Sequence, residues 1–79
     1  MAWSETPARL EREFQFDDFP AAMAFINCVA ELAEEHEHHP EIFNVHGRVR
    51  LTLTTHDAGN TVTEKDHRLA AAIDALLQG

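Results

Sequence analysis

The sequence predicts an α+β domain in which helices pack on one face of an antiparallel sheet. An early segment alternates apolar and polar residues, and a long stretch after it repeats its apolar residues at helical spacing. Two β-rich runs follow, separated by two residues, and a second amphipathic stretch ends the chain. The order strand, helix, hairpin, helix leaves both helices to cover a single sheet.

The first strand is predicted from a period of two. Leu10, Arg12, Phe14 and Phe16, three of them apolar, alternate with Glu11, Glu13 and Gln15. Such alternation is typical of a strand with one buried face, because successive side chains point to opposite sides. The preceding residues, Trp3 to Pro7, are expected to form a short extended lead-in that ends at a proline turn.

The long helix is predicted to begin at Asp18, a good N-cap, with Pro20 in its first turn. Its apolar residues recur at spacings of three and four, namely Phe19, Ala22, Met23, Ile26, Val29, Ala30 and Ala33. This pattern indicates an amphipathic helix of about five turns. Pro40 is expected to end the helix, because the residue before a proline disfavours helical dihedral angles.

The second half of the chain predicts a hairpin and a helix. Ile42–Val45 and Arg48–Thr55 are β-rich and are joined by His46-Gly47, a length that suits a tight turn. The longer run places Val49, Leu51 and Leu53 on one face. The segment Thr63–Asp66 resembles a capping box that opens the last helix. The apolar side of that helix carries Leu69, Ile73, Leu76 and Leu77.

Composition excludes several classes of function. The 79 residues predict a single domain, 1–79, and carry a formal charge of −8, which disfavours nucleic acids and anionic membrane surfaces. No apolar run approaches the ~20 residues of a membrane span, and no signal peptide follows Met1. The single cysteine, Cys28, excludes an internal disulfide. These features predict a cytoplasmic protein.

Histidines are unusually frequent, with six in 79 residues, and most lie in the middle of the chain. Glu34 stands one helical turn before His38, so these side chains are expected to meet. Nearby carboxylates and the negative helix end favour a protonated imidazole, which suits a proton donor. His39, before Pro40, is expected to point elsewhere. If the long strand passes beside the helix end, His56 faces the pair, and two imidazoles can act as acid and base.

Other interpretations of these residues stay open at this point. Histidines at an acidic helix end can simply be solvated polar residues. A metal site would use the histidines of His36–His39 with Glu34 or Glu35, but contiguous histidines on a helix rarely converge on one ion. No paired Cys or His-x-x-x-His spacing supports such a site. Asp66 also fits a purely structural role as the acid of its own capping box.

Several motifs stand at characteristic separations along the chain. They are Phe14-x-Phe16-x-Asp18-Phe19, Glu34-x-x-x-His38-His39-Pro40, Glu41, Phe43-Asn44-Val45, Leu51-Thr52-Leu53-Thr54-Thr55-His56 and Thr63-Glu64-Lys65-Asp66. Together they resemble the pterin-4a-carbinolamine dehydratase family, over a span that runs from Trp3 to Leu77. A His-His-Pro followed by a Thr-His and a distal Asp at these separations is specific, whereas His-His-Pro alone is not.

The resemblance implies a four-stranded antiparallel sheet with helices on one side, assembled as a homodimer or homotetramer. It implies dehydration of 4a-hydroxytetrahydrobiopterin to quinonoid dihydropterin and water, within the cofactor cycle of the aromatic amino acid hydroxylases. No metal and no organic cofactor are implied, since the hydroxyl leaves by proton transfer alone. The alternative is a non-catalytic pterin-binding or protein-partner module on the same fold, because some family relatives act as dimerisation partners for a transcription factor.

The resemblance also assigns roles to individual residues. His38 and His56 match the acid–base histidines, and His39 matches a third active-site histidine that helps hold the pterin. Asp66 matches the distal acid of the family and is expected to orient His56. The residues expected to line the pterin pocket are Glu34, Pro40, Thr55, Asp57 and Ala58.

The sequence departs from the family pattern in three ways. Ile42 stands where many relatives have tryptophan, which removes an aromatic wall beside the pterin. His46 stands where the pattern expects Tyr, Trp or Phe. The resemblance also implies that the N-terminal helix of the family is absent, since Trp3 is expected to correspond to a position beyond it. This loss is expected to thin the core and to affect oligomerisation.

Overall fold

A computed structural model describes residues 3–77. The strands are β1 (Ser4–Glu5), β2 (Leu10–Gln15), β3 (Glu41–Val45) and β4 (Arg48–Leu53), and the helices are α1 (Phe19–His36) and α2 (Glu64–Leu76). All strand pairs are antiparallel, in the spatial order β1-β2-β4-β3. The predicted α+β fold with a four-stranded antiparallel sheet is confirmed. In the described part of the chain, neither helix is long and apolar enough to cross a membrane.

The core lies between one face of the sheet and the two helices. The sheet contributes Leu10, Phe14, Val49, Leu51 and Leu53, and the helices contribute Ala22, Phe25, Val29, Leu69, Ala70 and Ile73. The alternation predicted for β2 and β4 is therefore confirmed. Because successive side chains of a strand alternate between faces, the opposite face of the sheet carries charged and hydroxyl side chains, among them Glu11, Arg50 and Thr52.

Helix α1 ends earlier than predicted. It begins behind the Asp18 cap, whose Oδ1 accepts a hydrogen bond from the Ala21 N–H at 2.9 Å. Its last residue is His36, because Glu37 adopts left-handed dihedral angles, with φ 52° and ψ 41°. The expectation that Pro40 ends the helix was wrong. His38 and the residue after it consequently lie outside the helix, in a segment that can turn away from its axis.

The predicted hairpin is confirmed. Val45 pairs with Arg48, so His46-Gly47 forms a two-residue loop, in which His46 has a φ of 53°. A Cβ at position 47 would overlap the carbonyl oxygen of Phe16, whose N–H donates to the Gly47 carbonyl at 2.7 Å. Glycine is required at this position because the hairpin loop presses against the end of β2.

Helix α2 begins with the predicted capping box. Thr63 is the N-cap, and Asp66 accepts a hydrogen bond from the Thr63 N–H at 2.9 Å. Of the predicted apolar side, Leu69 and Ile73 are fully buried. Leu76 and Leu77, at the end of the helix, are exposed, so the buried part of α2 is shorter than its apolar pattern indicated.

Asp74 connects α2 to the N-terminal part of the sheet. Its Oδ1 accepts a hydrogen bond from the indole Nε1 of Trp3 at 2.9 Å and from Nη1 of Arg12 at 2.5 Å. The Arg12 guanidinium also lies over the Phe14 ring, 4.5 Å from its centroid. One carboxylate of α2 therefore binds two residues of the N-terminal part of the chain that are more than 60 positions away in sequence.

Candidate active site

The carboxylate of Asp66 is the centre of the candidate site. Its side chain is completely buried, at the first turn of α2. Oδ2 accepts hydrogen bonds from the Thr55 hydroxyl at 2.8 Å and from the Thr63 N–H at 2.9 Å. Oδ1 lies 2.5 Å from Nε2 of His38. These donors compensate for the loss of water, which would otherwise make a buried carboxylate unstable.

The surroundings of Asp66 favour its ionised form. Burial raises the pKa of this carboxyl, because a low-dielectric environment disfavours charge. The hydrogen bonds from His38, from the Thr63 backbone and from Thr55, together with the charge of His38, outweigh burial and lower the pKa of Asp66 below 3.8. Asp66 is thus a hydrogen-bond acceptor at neutral pH.

The acidic partners of the histidines differ from those expected. Asp66 was expected to orient His56 and instead contacts His38. Glu34 was expected to meet His38 and instead its Oε2 lies 2.6 Å from Nε2 of His39. The reason is the early end of α1, after which the chain turns His38 inward, with an exposed fraction of 11%, and leaves His39 outside, at 67%. The predicted divergence of these two neighbours is confirmed.

His56 belongs to a separate set of contacts. It opens a short 3₁₀ turn, His56–Ala58, and its side chain is exposed. Its Nδ1 lies 2.7 Å from Oδ1 of Asn60. Within residues 3–77 it makes no hydrogen bond to the other two predicted site histidines or to Asp66. It is connected to them through the chain, since it directly follows Thr55, whose hydroxyl binds Asp66.

A cavity of about 380 Å³ borders His56 on the face of the sheet that the helices do not cover. Its polar lining includes Arg9, Glu11, Glu41, Arg50 and Thr52. This volume lies within the range of small-molecule sites, roughly 300–1,000 Å³. His38 and His39 do not line the cavity, although Glu41, two residues beyond His39, does.

The residues expected to line a pterin pocket lie outside this cavity. Glu34 is exposed at the end of α1, and Pro40 is half-buried just before β3. Asp57 and Ala58 are exposed in the 3₁₀ turn. Thr55 is buried and its hydroxyl already donates to Asp66, so that group is committed within the protein. Pterin contacts by these residues stay a prediction.

Two residues of the site were missed as such by the sequence analysis. Thr63 was assigned to helix capping alone, yet its hydroxyl also lies 2.7 Å from that of Thr55. Asn60 was assigned to a loop, and its amide faces His56. The Thr-x-x-Asp pattern marks Thr63 as a cap, but contacts with residues before the loop carry no local sequence signal.

Each of the three histidines has one ring nitrogen engaged by a protein oxygen. In His38 and His39 this is Nε2, which faces a carboxylate, and in His56 it is Nδ1, which faces Asn60. Among residues 3–77, the opposite nitrogens make no hydrogen bond. In the part of the chain that the structure describes, no group of three or more His, Cys, Asp or Glu side chains is arranged to hold a metal ion.

Comparison with known proteins decides the family. The model of the family described as pterin 4 alpha carbinolamine dehydratase matches residues 1–76. The chain belongs to this family. A protein of Solibacter usitatus, provisionally named pterin-4-alpha-carbinolamine dehydratase, is 50% identical over 78 residues, covering 99% of this chain and 81% of the relative. A protein of Acidobacterium capsulatum with the same provisional name is 55% identical over 76 residues, covering 96% of this chain and 82% of the relative.

Solved structures of pterin dehydratase relatives share the fold. A transcriptional coactivator/pterin dehydratase from Brucella melitensis matches with a TM-score of 0.86 and 39% identity, over 94% of this chain and 80% of that one. A pterin dehydratase-like protein identified as a RuBisCO assembly factor of the alpha-carboxysome matches with a TM-score of 0.75 and 29% identity. The match covers 94% of this chain and 84% of that one. The predicted resemblance is confirmed, and the names of these relatives extend beyond the dehydratase reaction.

Proposed function

We propose that this protein is a 4a-hydroxytetrahydrobiopterin dehydratase, a hydro-lyase that releases quinonoid dihydropterin and water. The observation that supports it most is the pairing of His38 with the fully buried Asp66, in a chain of the pterin 4 alpha carbinolamine dehydratase family. A buried carboxylate fixes an imidazole ring and compensates its charge when it takes up a proton. These are the requirements of a positioned acid or base.

The proposed reaction needs two proton transfers. An acid protonates the 4a-hydroxyl, which leaves as water, and a base removes the proton of the adjacent ring nitrogen, so that a carbon–nitrogen double bond forms. We assign these transfers to His38 and His56. His39 helps hold the pterin through its free ring nitrogen, while its other nitrogen faces Glu34. Proton transfer alone balances the reaction, so no redox partner is needed.

The cavity beside His56 is the proposed point of entry for the substrate. Its volume suits a small heterocycle, and its lining offers both donors, such as Arg50, and acceptors, such as Glu41. The Cα atoms of Glu41 and His39 are at most about 7.6 Å apart, because two peptide units separate them. A ligand in the cavity can therefore extend toward His39.

A second candidate function is a non-catalytic partner-binding module, and the outer strand of the sheet favours it. Among the described residues, 3–77, strand β3 pairs with β4 alone, and Ile42, Phe43 and Val45 on it are exposed. Apolar side chains on an edge strand are typical of contact surfaces between chains. The same surface supports assembly as a homodimer or homotetramer, which both functions allow.

The deciding experiment measures the dehydration rate of 4a-hydroxytetrahydrobiopterin by ultraviolet absorbance, with and without the purified protein. The His56→Ala variant is the control for a general acid or base. Acceleration that the variant loses supports the dehydratase. A folded protein that binds pterin without turnover would be a degenerate binder. One that does not bind pterin would be a partner-binding module.

A further inference from the structure

A row of hydrogen bonds leads from the start of α2 to His38. The Lys65 N–H lies 3.3 Å from Oγ1 of Thr63, and this oxygen lies 2.7 Å from Oγ1 of Thr55. The Thr55 hydroxyl is 2.8 Å from Oδ2 of Asp66. Oδ1 of Asp66 is 2.5 Å from Nε2 of His38. Between its two ends the row consists of side-chain oxygens. The hydroxyls of Thr63 and Thr55 carry one hydrogen each, so each can donate a single hydrogen bond.

Each bond in this row has one possible direction. The Asp66 carboxylate has no hydrogen to donate, so it accepts from both Thr55 and His38. The single hydroxyl hydrogen of Thr55 is therefore used on Asp66, and the Thr55 oxygen accepts from Thr63. The Thr63 oxygen in turn accepts from a backbone N–H. The direction of the whole row thus follows from the ionised carboxylate and from the backbone donor at the start of α2.

We propose that this row fixes the tautomer of His38, with the hydrogen on Nε2, so that Nδ1 is the atom that exchanges a proton with the substrate. Thr55 and Thr63 are positioning residues, since they act on His38 through Asp66. The encounter of Nδ1 with a pterin rests on the proposed function. The tautomer itself follows from the hydrogen bonds and does not depend on that function.

The substitution Asp66→Asn should invert this tautomer. Two donors, the Thr55 hydroxyl and the Thr63 N–H, point at the Oδ2 position, so the amide oxygen has to occupy it. The amide NH₂ then faces Nε2 of His38, which must present its lone pair and carry its hydrogen on Nδ1. The capping box keeps its acceptor in this variant, so helix α2 is expected to form.

Glu34 and His39 provide a matched control. This pair has the same type of contact, at 2.6 Å, but the side chains are 78% and 67% exposed. Among residues 3–77, no other donor points at the Glu34 carboxylate. In Glu34→Gln the amide can therefore rotate and offer its oxygen to His39, and no inversion is expected.

The test is nitrogen-15 NMR of the histidine rings of the full chain, at a pH where His38 is neutral. The signals of His38 are assigned from their loss in His38→Gln. We expect Nε2–H in the unchanged protein, Nδ1–H in Asp66→Asn, and no change of His39 in Glu34→Gln. Nδ1–H in the unchanged protein, or a folded Asp66→Asn variant with the original tautomer, would overturn the inference.

The measurement separates this inference from the proposed function. The spectrum of the unchanged protein decides the tautomer even if Asp66→Asn does not fold. If the protein is a dehydratase, the inverted tautomer should lower kcat by about 10²–10⁴, the usual contribution of a general acid or base. An Asp→Asn exchange that inverts the histidine tautomer in a serine-protease triad lowers kcat by about 10⁴. The expected tautomer in a protein without dehydratase activity would refute the proposed function and the role of Nδ1 toward a pterin, and would retain the tautomer.

Discussion

Nε2 of His38 lies 2.5 Å from Oδ1 of Asp66, a residue 28 positions further along the chain. The contact joins the segment that follows α1 to the first turn of α2. Asp66 also accepts from the Thr63 N–H and so completes the capping box of α2. The sequence analysis had left capping and orientation of a histidine as alternative roles, and in the structure one carboxylate makes both sets of contacts.

The site histidines should differ in their effects on catalysis. We expect His38→Ala and His56→Ala each to lower kcat by ~10²–10⁴, the usual contribution of a general acid or base. His39→Ala should mainly raise KM, because the assigned role of His39 is to hold the pterin. Steady-state kinetics measure both parameters. The control is His67→Ala, whose exposed ring faces Glu5 at 3.5 Å, outside the site. Full turnover after His56→Ala would contradict the assignment.

The two ways of removing the Asp66 charge should separate stability from activity. Asp66→Ala leaves three donors without a partner, so we expect it to lower the free energy of unfolding by roughly 1–3 kcal/mol per lost acceptor site. Asp66→Asn keeps an acceptor for Thr55 and Thr63, and should therefore lose activity more than stability. Urea unfolding and kcat measured on the same samples test this. A loss of stability without loss of activity in Asp66→Asn would leave Asp66 a helix cap only.

Stability should depend on pH through Asp66. Its pKa is lowered in the folded protein relative to 3.8 in the unfolded chain, so the unfolded chain binds this proton first as the pH falls. The contribution of the charged carboxylate is therefore complete above pH 3.8 and is lost as the pH falls through the folded pKa. Urea unfolding of the protein and of Asp66→Asn should give a stability difference that shrinks in this acid range. A difference that does not change with pH would refute the linkage.

Asp74 should contribute more to stability than an exposed ion pair does. In Asp74→Ala, Trp3 and Arg12 lose a shared acceptor, and we expect a loss of about 1–2 kcal/mol, discounted because the Arg12–Asp74 pair is partly exposed. Arg68→Ala is the control, since it removes an exposed pair with Glu64 and should change stability by no more than about 0.5 kcal/mol. Urea unfolding, followed by the fluorescence of the single tryptophan, measures both. Equal effects would mean that the contacts of Asp74 add nothing beyond surface charge.

Local patterns of the sequence determined most of the fold. The alternation in β2 and β4, the Asp18 cap, the two-residue turn at His46-Gly47 and the Thr63–Asp66 capping box each depend on neighbours within a few residues. Such neighbours are visible in the sequence because strand and helix periods are fixed by backbone geometry. The family motifs also predicted an active site built from His38, His39 and His56, and this stays a prediction.

Only the tertiary structure decided which side chains meet in the candidate site. One left-handed residue, Glu37, ends α1 and sends His38 toward Asp66, while Glu34 is left to face His39. A left-handed glutamate carries no signal in the sequence, and it changes the direction of every side chain after it. Contacts across 28 positions depend on how α2 packs beside the end of α1, and this packing is set by the shared core rather than by neighbours in the chain.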